Sequence, residues 1–505
     1  MSTMSSMSCP DAEILDLGPQ RFSRPDSQAR LSSWRCNLIA LSQVYNLFFL
    51  AAGSSIKVYI PQYPRHRLPP QPALSIAIPP TSTNLQGYIN LREPHSINRI
   101  LVAPLGVEEI LVIARDDGDV NCIYTRHIHQ SVQDHLPAQG VRPFFQVNVG
   151  MSAWGLAVHA KARLLAISSN RHEVLVFSFG LVDHDGRILR DDSTKVIAGW
   201  TNIPCVAFCN MPYDEEGRWL LFTDVSGVSS VVDLSMDPPQ VVQNFGFVPG
   251  RITGFDRWNA GWIVEFLDPR SFIVGDENAP SNQTPPPAVW NQGDELERPF
   301  VTVNDDTGEN GDEVEDDDES ENENENIDNN ENDIEDGDGN NSDNPSLPTR
   351  TRPVYLANQE RILHPDLPCP ILHTSVRHIH ILPPNIKSEP VIGLEQPSNG
   401  TGTRQRFNMH AYIPHLGILI VASQTGSAAI IGLCKVDGSF MCRPLHTLDG
   451  TAKSSSPTTT LHGLTASPIP NARKRWRIIF FLSDWTVLRY EVSRDYGELS
   501  FIPVP

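Results

Sequence analysis

No stretch of this 505-residue chain approaches the roughly 20 consecutive apolar residues that a membrane-spanning helix needs, so no helical span is expected. The amino terminus, MSTMSSMSCPDAEILDLGP, lacks a basic start and an apolar core, and no secretory signal is expected there. No CxxC pair occurs among the eight cysteines. Cys122, Cys205 and Cys434 fall within apolar strand patterns, which reads as reduced, buried thiols in a nuclear or cytoplasmic protein. Long helical periodicity is nearly absent, and so is a Gly-rich phosphate cradle before a helix. Neither a scaffolded acid pair nor a nucleophile beside a base can be found. The expectation is a protein that is not an enzyme, with no cofactor and no small-molecule substrate. RRM, zinc-finger and homeodomain patterns are missing too, so direct reading of DNA is not expected.

Positive charge is missing from one region altogether. Between Asp305 and Asp343 there are 20 acidic residues and no Lys or Arg. Setting these against the net charge of −21 leaves about −1 for the rest. A near-neutral remainder offers no general electrostatic attraction to nucleic acid. The segment itself has too little apolar content to offset the entropy of ordering, so a disordered loop is expected. A solvated spacer is its plainest reading; a lure for basic partners is the sharper one.

What the chain does contain is repetition. EEILVIARDDGDVNCIYTR, ARLLAISSNRHEVLVFSFG and WRIIFFLSDWTVLRYEVS each read as two alternating or apolar strands joined by a tight turn. Most copies carry a further strand on either side. Four strands per unit, repeated about every 40–60 residues, is the pattern of a WD40-like β-propeller, an all-β, round and rigid platform for binding partners.

The expected organisation follows from the units. Residues 1–28 form a disordered N-terminal segment, and 29–276 hold blades one to four and the first part of blade five. Residues 277–403 are a Pro-rich and acidic insert, with a returning strand near 369–384. Residues 404–505 form blades six and seven, the last ending with LSFIPV. The weak fifth unit leaves the count between six and eight; seven is the reading taken.

The hairpin turns supply the candidate site. Asp116, Asp117, Gly118 and Asp119 tolerate positive φ and cap their own backbone, and Ser169 to Glu173 form the matching turn of the third unit. Such turns gather on one propeller face. Asp117, Asp119, Arg171, His172 and Glu173 are the interface candidates, with turn chemistry as the plain alternative. His378 and His380, with Cys369 and His373 upstream, are read as ordinary strand histidines rather than zinc ligands, as are His127 and His129. The basic run from Arg473 to Arg477 reads as a strand edge or loop before a nuclear-localisation signal.

The stretch VEEILVIARDDGDVNCIYTR, followed by FFQVNVGMSAWGLAVHAKARLLAISSNRHEVLVFSFGL, resembles the fungal WD40-like regulators of ribonucleotide reductase gene transcription, a Crt-type family. YNLFFLAAGSSIKVYIP, NIPCVAFCN and WLLFTDVSG agree in order and type, from Tyr45 to about Leu234. The resemblance implies a non-enzymatic scaffold in nuclear control of nucleotide-precursor supply and the DNA-damage or replication-stress response. Its implied partners are nuclear regulatory proteins or ubiquitin-ligase subunits. The alternatives are a substrate adaptor of a cullin-type ligase and a generic WD40 scaffold. TVLRYEVSR only loosely resembles the WD-x-R ending of ligase receptors, with Tyr490 and Glu491 in place of the dipeptide and Arg494 displaced by one position.

Overall fold

The second repeat shows why each unit folds as it does. Glu108–Arg115 pairs antiparallel with Asp119–Tyr124, and successive side chains point to opposite faces. Leu111 and Ile113 face a core shared with the first repeat. Ile110, Val112 and Ala114 face a core shared with the third. Neither face can be hidden by the hairpin alone, so the repeats must stack. An inner strand, Ile97–Leu105, and an outer strand, Phe145–Asn148, complete the four-stranded sheet.

This computed structural model describes residues 12–22, 31–247, 261–274, 300–303, 367–393, 406–449 and 459–494, apart from short breaks inside these ranges. Seven blades form a β-propeller. Blade one is Ile39–Leu41, Phe48–Ala52, Ser55–Tyr59 and Leu74–Ala77, and blade three is Ala153–His159, Leu164–Ser169, Glu173–Ser178 and Ser193–Ala198. Blade four is Cys205–Phe208, Trp219–Thr223, Val228–Asp233 and Gln240–Phe247. Blade five comprises Ile263–Phe266, Ile371–Thr374, His378–Leu382 and Ile392–Gly393. Blade six comprises Phe407–Ile413, Ile418–Ser423, Ser427–Val436 and Ser439–Asp449. Inner strands of successive blades pack in order, and that of blade seven, Leu461–Pro468, packs against that of blade one. The apolar clusters lie between neighbouring blades.

Several expectations need correction. Residues 13–21 are not a disordered segment: Glu13–Arg21 is the outer strand of blade seven and pairs antiparallel with Thr486–Ser493. Arg475–Leu482 lies between Thr486–Ser493 and the inner strand. The place expected for LSFIPV is therefore taken by the other end of the chain; residues 495–505 lie outside the described residues. Local alternation could not reveal this, because the partner strand is more than 460 residues away. Ile273–Val274, in the stretch expected to hold the first part of blade five, instead joins blade six in parallel pairing with Cys434 and Lys435. Within the expected insert, the return to blade five is more than one strand, and Phe300–Val303 extends blade four beside Gln240–Phe247. The acidic run from Asp305 to Asp343 lies outside the described residues. A helix, Thr125–Gln133, fills the connection between the third and outer strands of blade two and buries Ile128 and Val132. Cys122 and Cys205 are buried free thiols, whereas buried Cys434 is disulfide-bonded and departs from the expectation.

The turn after Arg115 demands glycine. Gly118 has φ of +82°, and a Cβ there would stand 2.7 Å from the Met151 carbonyl oxygen. Gly118→Ala should therefore cost about 2 kcal/mol, from left-handed strain plus the backbone clash. Urea unfolding of the variant checks this.

Candidate functional site

The turns between second and third strands share one face of the ring with the links that lead from an outer strand into the next blade. The two sequence-derived turns meet there across the link 149–152. Gly118 of the first turn abuts Met151, and the Arg171 side chain of the second lies against Gly150. Their side chains have different fates. Asp117 and Asp119 are buried at 3% and 1% exposure. Asp117 accepts the Asp119 amide at 3.1 Å and meets His95 Nδ1 at 2.5 Å. Asp119 accepts the Thr81 amide at 2.7 Å and Asn148 Nδ2 at 2.8 Å. Both carboxylates are thus held by neighbouring backbone and side chains. His172 occupies the left-handed position of its turn, with φ of +60°. Arg171 stays exposed and pairs with partly exposed Glu173 at 3.6 Å. Among the five, these two carry the long charged side chains that remain at the surface.

Beneath this face lies a buried polar network that the sequence reading did not single out as a site. Asp116 accepts Ser152 Oγ at 2.7 Å and the amides of Asn90 and Ile89 at 2.7 and 3.1 Å. Its other neighbour is the Arg35 guanidinium at 3.7 Å. Arg35 donates Nε to Asn98 Oδ1 at 3.1 Å, and Asn98 donates to Ser152 Oγ at 2.9 Å. Burial pulls the pKa of Arg35 down, and Asp116 pulls it back up. This network ties blades one, two and three together. Its only sequence signal is the Asp-Asp-Gly-Asp turn.

The opposite face carries a cavity of about 900 Å³ along the propeller axis. Its walls come from inner strands and the turns that follow them, and include Leu101, Val158, Phe208, Phe266, Leu464 and Trp476. Alternation along an inner strand buries one set of side chains between blades and aims the other at the axis, which is why the walls are largely apolar. Polar side chains line the mouth in pairs: Lys161 with Glu215, Arg270 with Asp268 at 2.6 Å, and the His410 ring 3.3 Å from Glu265. Exposed apolar groups sit at or beside this mouth: Val107 lines it, while Val44 and Tyr213 neighbour lining residues. No feature of a single repeat marks this cavity, since seven separate segments build it.

The remaining motifs are structural in placement. His373 and His380 face each other across neighbouring strands of blade five, and both are buried, as is Cys369. Among the described residues, no group of three or more His, Cys, Asp or Glu is placed to hold a metal ion. His127 and His129 lie on the helix rather than on a strand, against Tyr124 and Tyr45 respectively. In the basic run, Arg475 pairs with Glu491, and Arg477 is buried rather than solvated, donating to Ser467 Oγ at 2.9 Å and Asn46 Oδ1 at 2.6 Å. Arg473 lies outside the described residues.

Burial holds the pKa of His373 at about 3, against 6.5 in solution. The unfolded chain therefore binds the extra proton across that window, and stability falls as pH falls through it. Lowering the pH from 6.5 to 5.5 should remove about 1 kcal/mol through this residue. Urea titrations of the native chain and of His373→Gln at the two pH values isolate the contribution, since the variant should lose less.

Among solved structures, the chain aligns with one titled "Crystal Structure of Mitotic Checkpoint Complex" at a TM-score of 0.42 and 9% identity, covering 98% of each chain. No curated protein matches it in sequence. Residues 25–236, which contain blades one to three and the first three strands of blade four, match the family model CRT10, in agreement with the Crt-type resemblance of its residues.

Proposed function

We propose that this protein is a non-enzymatic interaction scaffold that regulates ribonucleotide reductase gene transcription in the response to replication stress or DNA damage. The observation that carries the reading is the CRT10 match across residues 25–236, on a propeller whose two faces present distinct surfaces. The propeller fold fits a protein-interaction scaffold. Its work is then to hold partners in a fixed relation, for which a closed ring of stacked sheets supplies rigidity. Nuclear regulatory proteins are the partners proposed, and the nucleus, with or without a cytoplasmic pool, is the proposed location.

The adaptor reading for a cullin-type ligase has less support. Arg494 is buried and donates Nη1 to the carbonyls of Leu416 and Gly417 at 2.8 and 3.3 Å. It serves the packing of blade seven on blade six, and is not offered to a ligase subunit.

The Arg171→Ala, Glu173→Ala double variant tests the reading. Loss of a surface pair should change stability by no more than about 0.5 kcal/mol. Partner capture from stressed cells should weaken, and the rise or fall of ribonucleotide reductase transcripts under replication stress should be blunted. A chain-deletion strain whose transcripts respond normally would remove the regulatory proposal altogether. A normal response from the folded double variant alone would remove only this surface.

A further inference from the structure

Three connections on the cavity-mouth face meet where blade seven closes against blade one. They are the turn 42–47 and the loop 60–73 of blade one, and the turn that precedes Arg475 in blade seven. Asn46 ties them together, donating to the Pro61 carbonyl at 2.8 Å and accepting Arg477 Nη1 at 2.6 Å. Arg489 holds the loop by donating to the Arg65 carbonyl at 2.7 Å, and His66 Nε2 lies 3.0 Å from Glu491. Gln62 and Arg67 exchange backbone hydrogen bonds across the loop. A clamped backbone thus presents Tyr63, Arg65 and Arg67 to solvent, with the Tyr63 ring edge-on to His66. Holding the backbone in place lowers the entropy that these side chains would lose on meeting a partner.

Positive charge collects at this junction. Arg65, Arg67 and Lys474 are exposed, Arg475 is partly so, and Arg477 and Arg489 are buried beneath them. The carboxylates beside them are fewer. Glu491 pairs with Arg475 and contacts His66, while Asp16 and Glu13 stand on the outer strand. Glu109, behind the turn 42–47, already accepts the Ser42 hydroxyl and the Gln43 amide. Among the described residues, Arg65, Arg67, Arg477 and Arg489 have no carboxylate within 4 Å. Burial, and then the charges of Arg67 and Arg65, lower the pKa of Arg489 against the pull of Asp16. Like charges gathered in one place repel, and an anionic partner both offsets that repulsion and is steered toward it. The flanks of the patch are apolar: Tyr63 is 68% exposed, Val44 67% and Ile60 40%. A nucleic-acid strand is held through a row of phosphate contacts, which these apolar groups interrupt. Arg beside Tyr is instead the composition that dominates the centres of protein–protein contacts.

We propose that the junction of blades seven and one docks an acidic segment of a protein partner, whose Asp or Glu side chains meet Arg65 and Arg67 and whose adjacent apolar residue packs on Tyr63 and Ile60. This rests on the scaffold reading and deepens it by naming where one partner docks and what chemistry that segment carries. The contact lies on the face opposite the Arg171 turn, so the ring can hold two partners at once.

Fluorescence polarisation of the full chain with labelled probes tests this. The first probe is a peptide alternating Asp and Glu around a central Leu-Phe pair. The second replaces its acids by Asn and Gln, and the third is a single-stranded oligothymidine. The acidic peptide should bind, and the Asn/Gln peptide should bind about tenfold more weakly or worse. The Arg65→Glu, Arg67→Glu double variant should lose at least the same factor. Its melting temperature should hold or rise, because two charges that repel Arg489 are removed. The Arg65→Gln, Arg67→Gln pair gives the same reading if the reversal does not yield folded protein. Tyr63→Ser should weaken the acidic peptide about fivefold, and Arg171→Ala on the other face should leave it unchanged. No binding, equal binding of the Asn/Gln peptide, or binding indifferent to the charge reversal would overturn the proposal. Oligothymidine that binds as tightly as the peptide and is lost in the same variant would overturn it in favour of a nucleic-acid surface. Absence of peptide binding, with stress-dependent partner capture still present, would discard this surface and leave the scaffold reading standing. A deletion strain with normal transcripts would remove the regulatory reading without touching the peptide result.

Discussion

Deleting residues 1–22 should remove more than about 5 kcal/mol of stability, enough to unfold many domains outright. Glu13–Arg21 pairs with Thr486–Ser493 from Glu13 opposite Ser493 to Arg21 opposite Thr486. Each backbone bond of such a ladder is worth about 1 kcal/mol net. The strand also clamps blade one, because Gln20 exchanges hydrogen bonds of 2.7 and 3.0 Å with the backbone of Leu68. Buried Arg489 donates to the Leu17 and Gly18 carbonyls and would lose them. Phe22 then packs edge-on against Tyr59 and Trp485, with ring centroids 5.9 and 5.7 Å away. Phe22→Ala alone should cost about 3–4 kcal/mol. Urea unfolding and soluble yield of the deletion and the point variant provide the measurement. A deletion that melts within a few degrees of the native chain would show that the ring does not depend on this closure.

Asp116→Ala should be the most damaging single substitution on the face of the hairpin turns, at about 3–5 kcal/mol. The carboxylate is fully buried, and Arg35 is 2% exposed. Removing Asp116 leaves a buried guanidinium without its ion-pair partner and deprives two amides and Ser152 of their acceptor. Asp116→Asn should be milder, since an amide oxygen still accepts while the charge is lost. The contrast with Arg171→Ala, Glu173→Ala is informative, because these residues belong to matching turns of adjacent blades. One turn's acid is part of the framework; the other turn's charges face solvent. Comparing the denaturation midpoints of the three variants decides between the two roles. Near-equal midpoints would mean that the buried network contributes little.

Period-two alternation is a local property, and it determined much of this protein without help. The strands of blades one to four follow directly from it, as does the placement of Asp116–Asp119 and Asn170–His172 in hairpin turns. The same signal says which residues of Glu108–Arg115 face one neighbour and which the other, because the pleat allows only two directions. It could not say which of the turn acids would be buried. Asp117 and Asp119 lose solvent through His95, Thr81 and Asn148, which belong to other segments.

Ring closure was equally illegible. Glu13–Arg21 has few buried side chains of its own, and its ladder partner lies at the far end of the chain. Blade five is assembled from Ile263–Phe266 and strands more than 100 residues later, so no contiguous repeat exists to be read. The axial cavity is the extreme case. Every inner strand contributes to it, and an arginine at position 99 looks no different in sequence from a surface arginine. Only when seven inner strands converge does Arg99 come to line one cavity with Leu101, Val158 and Phe266. Local patterning sets which face of a strand is apolar; the convergence of distant strands sets which side chains come to share the axial cavity.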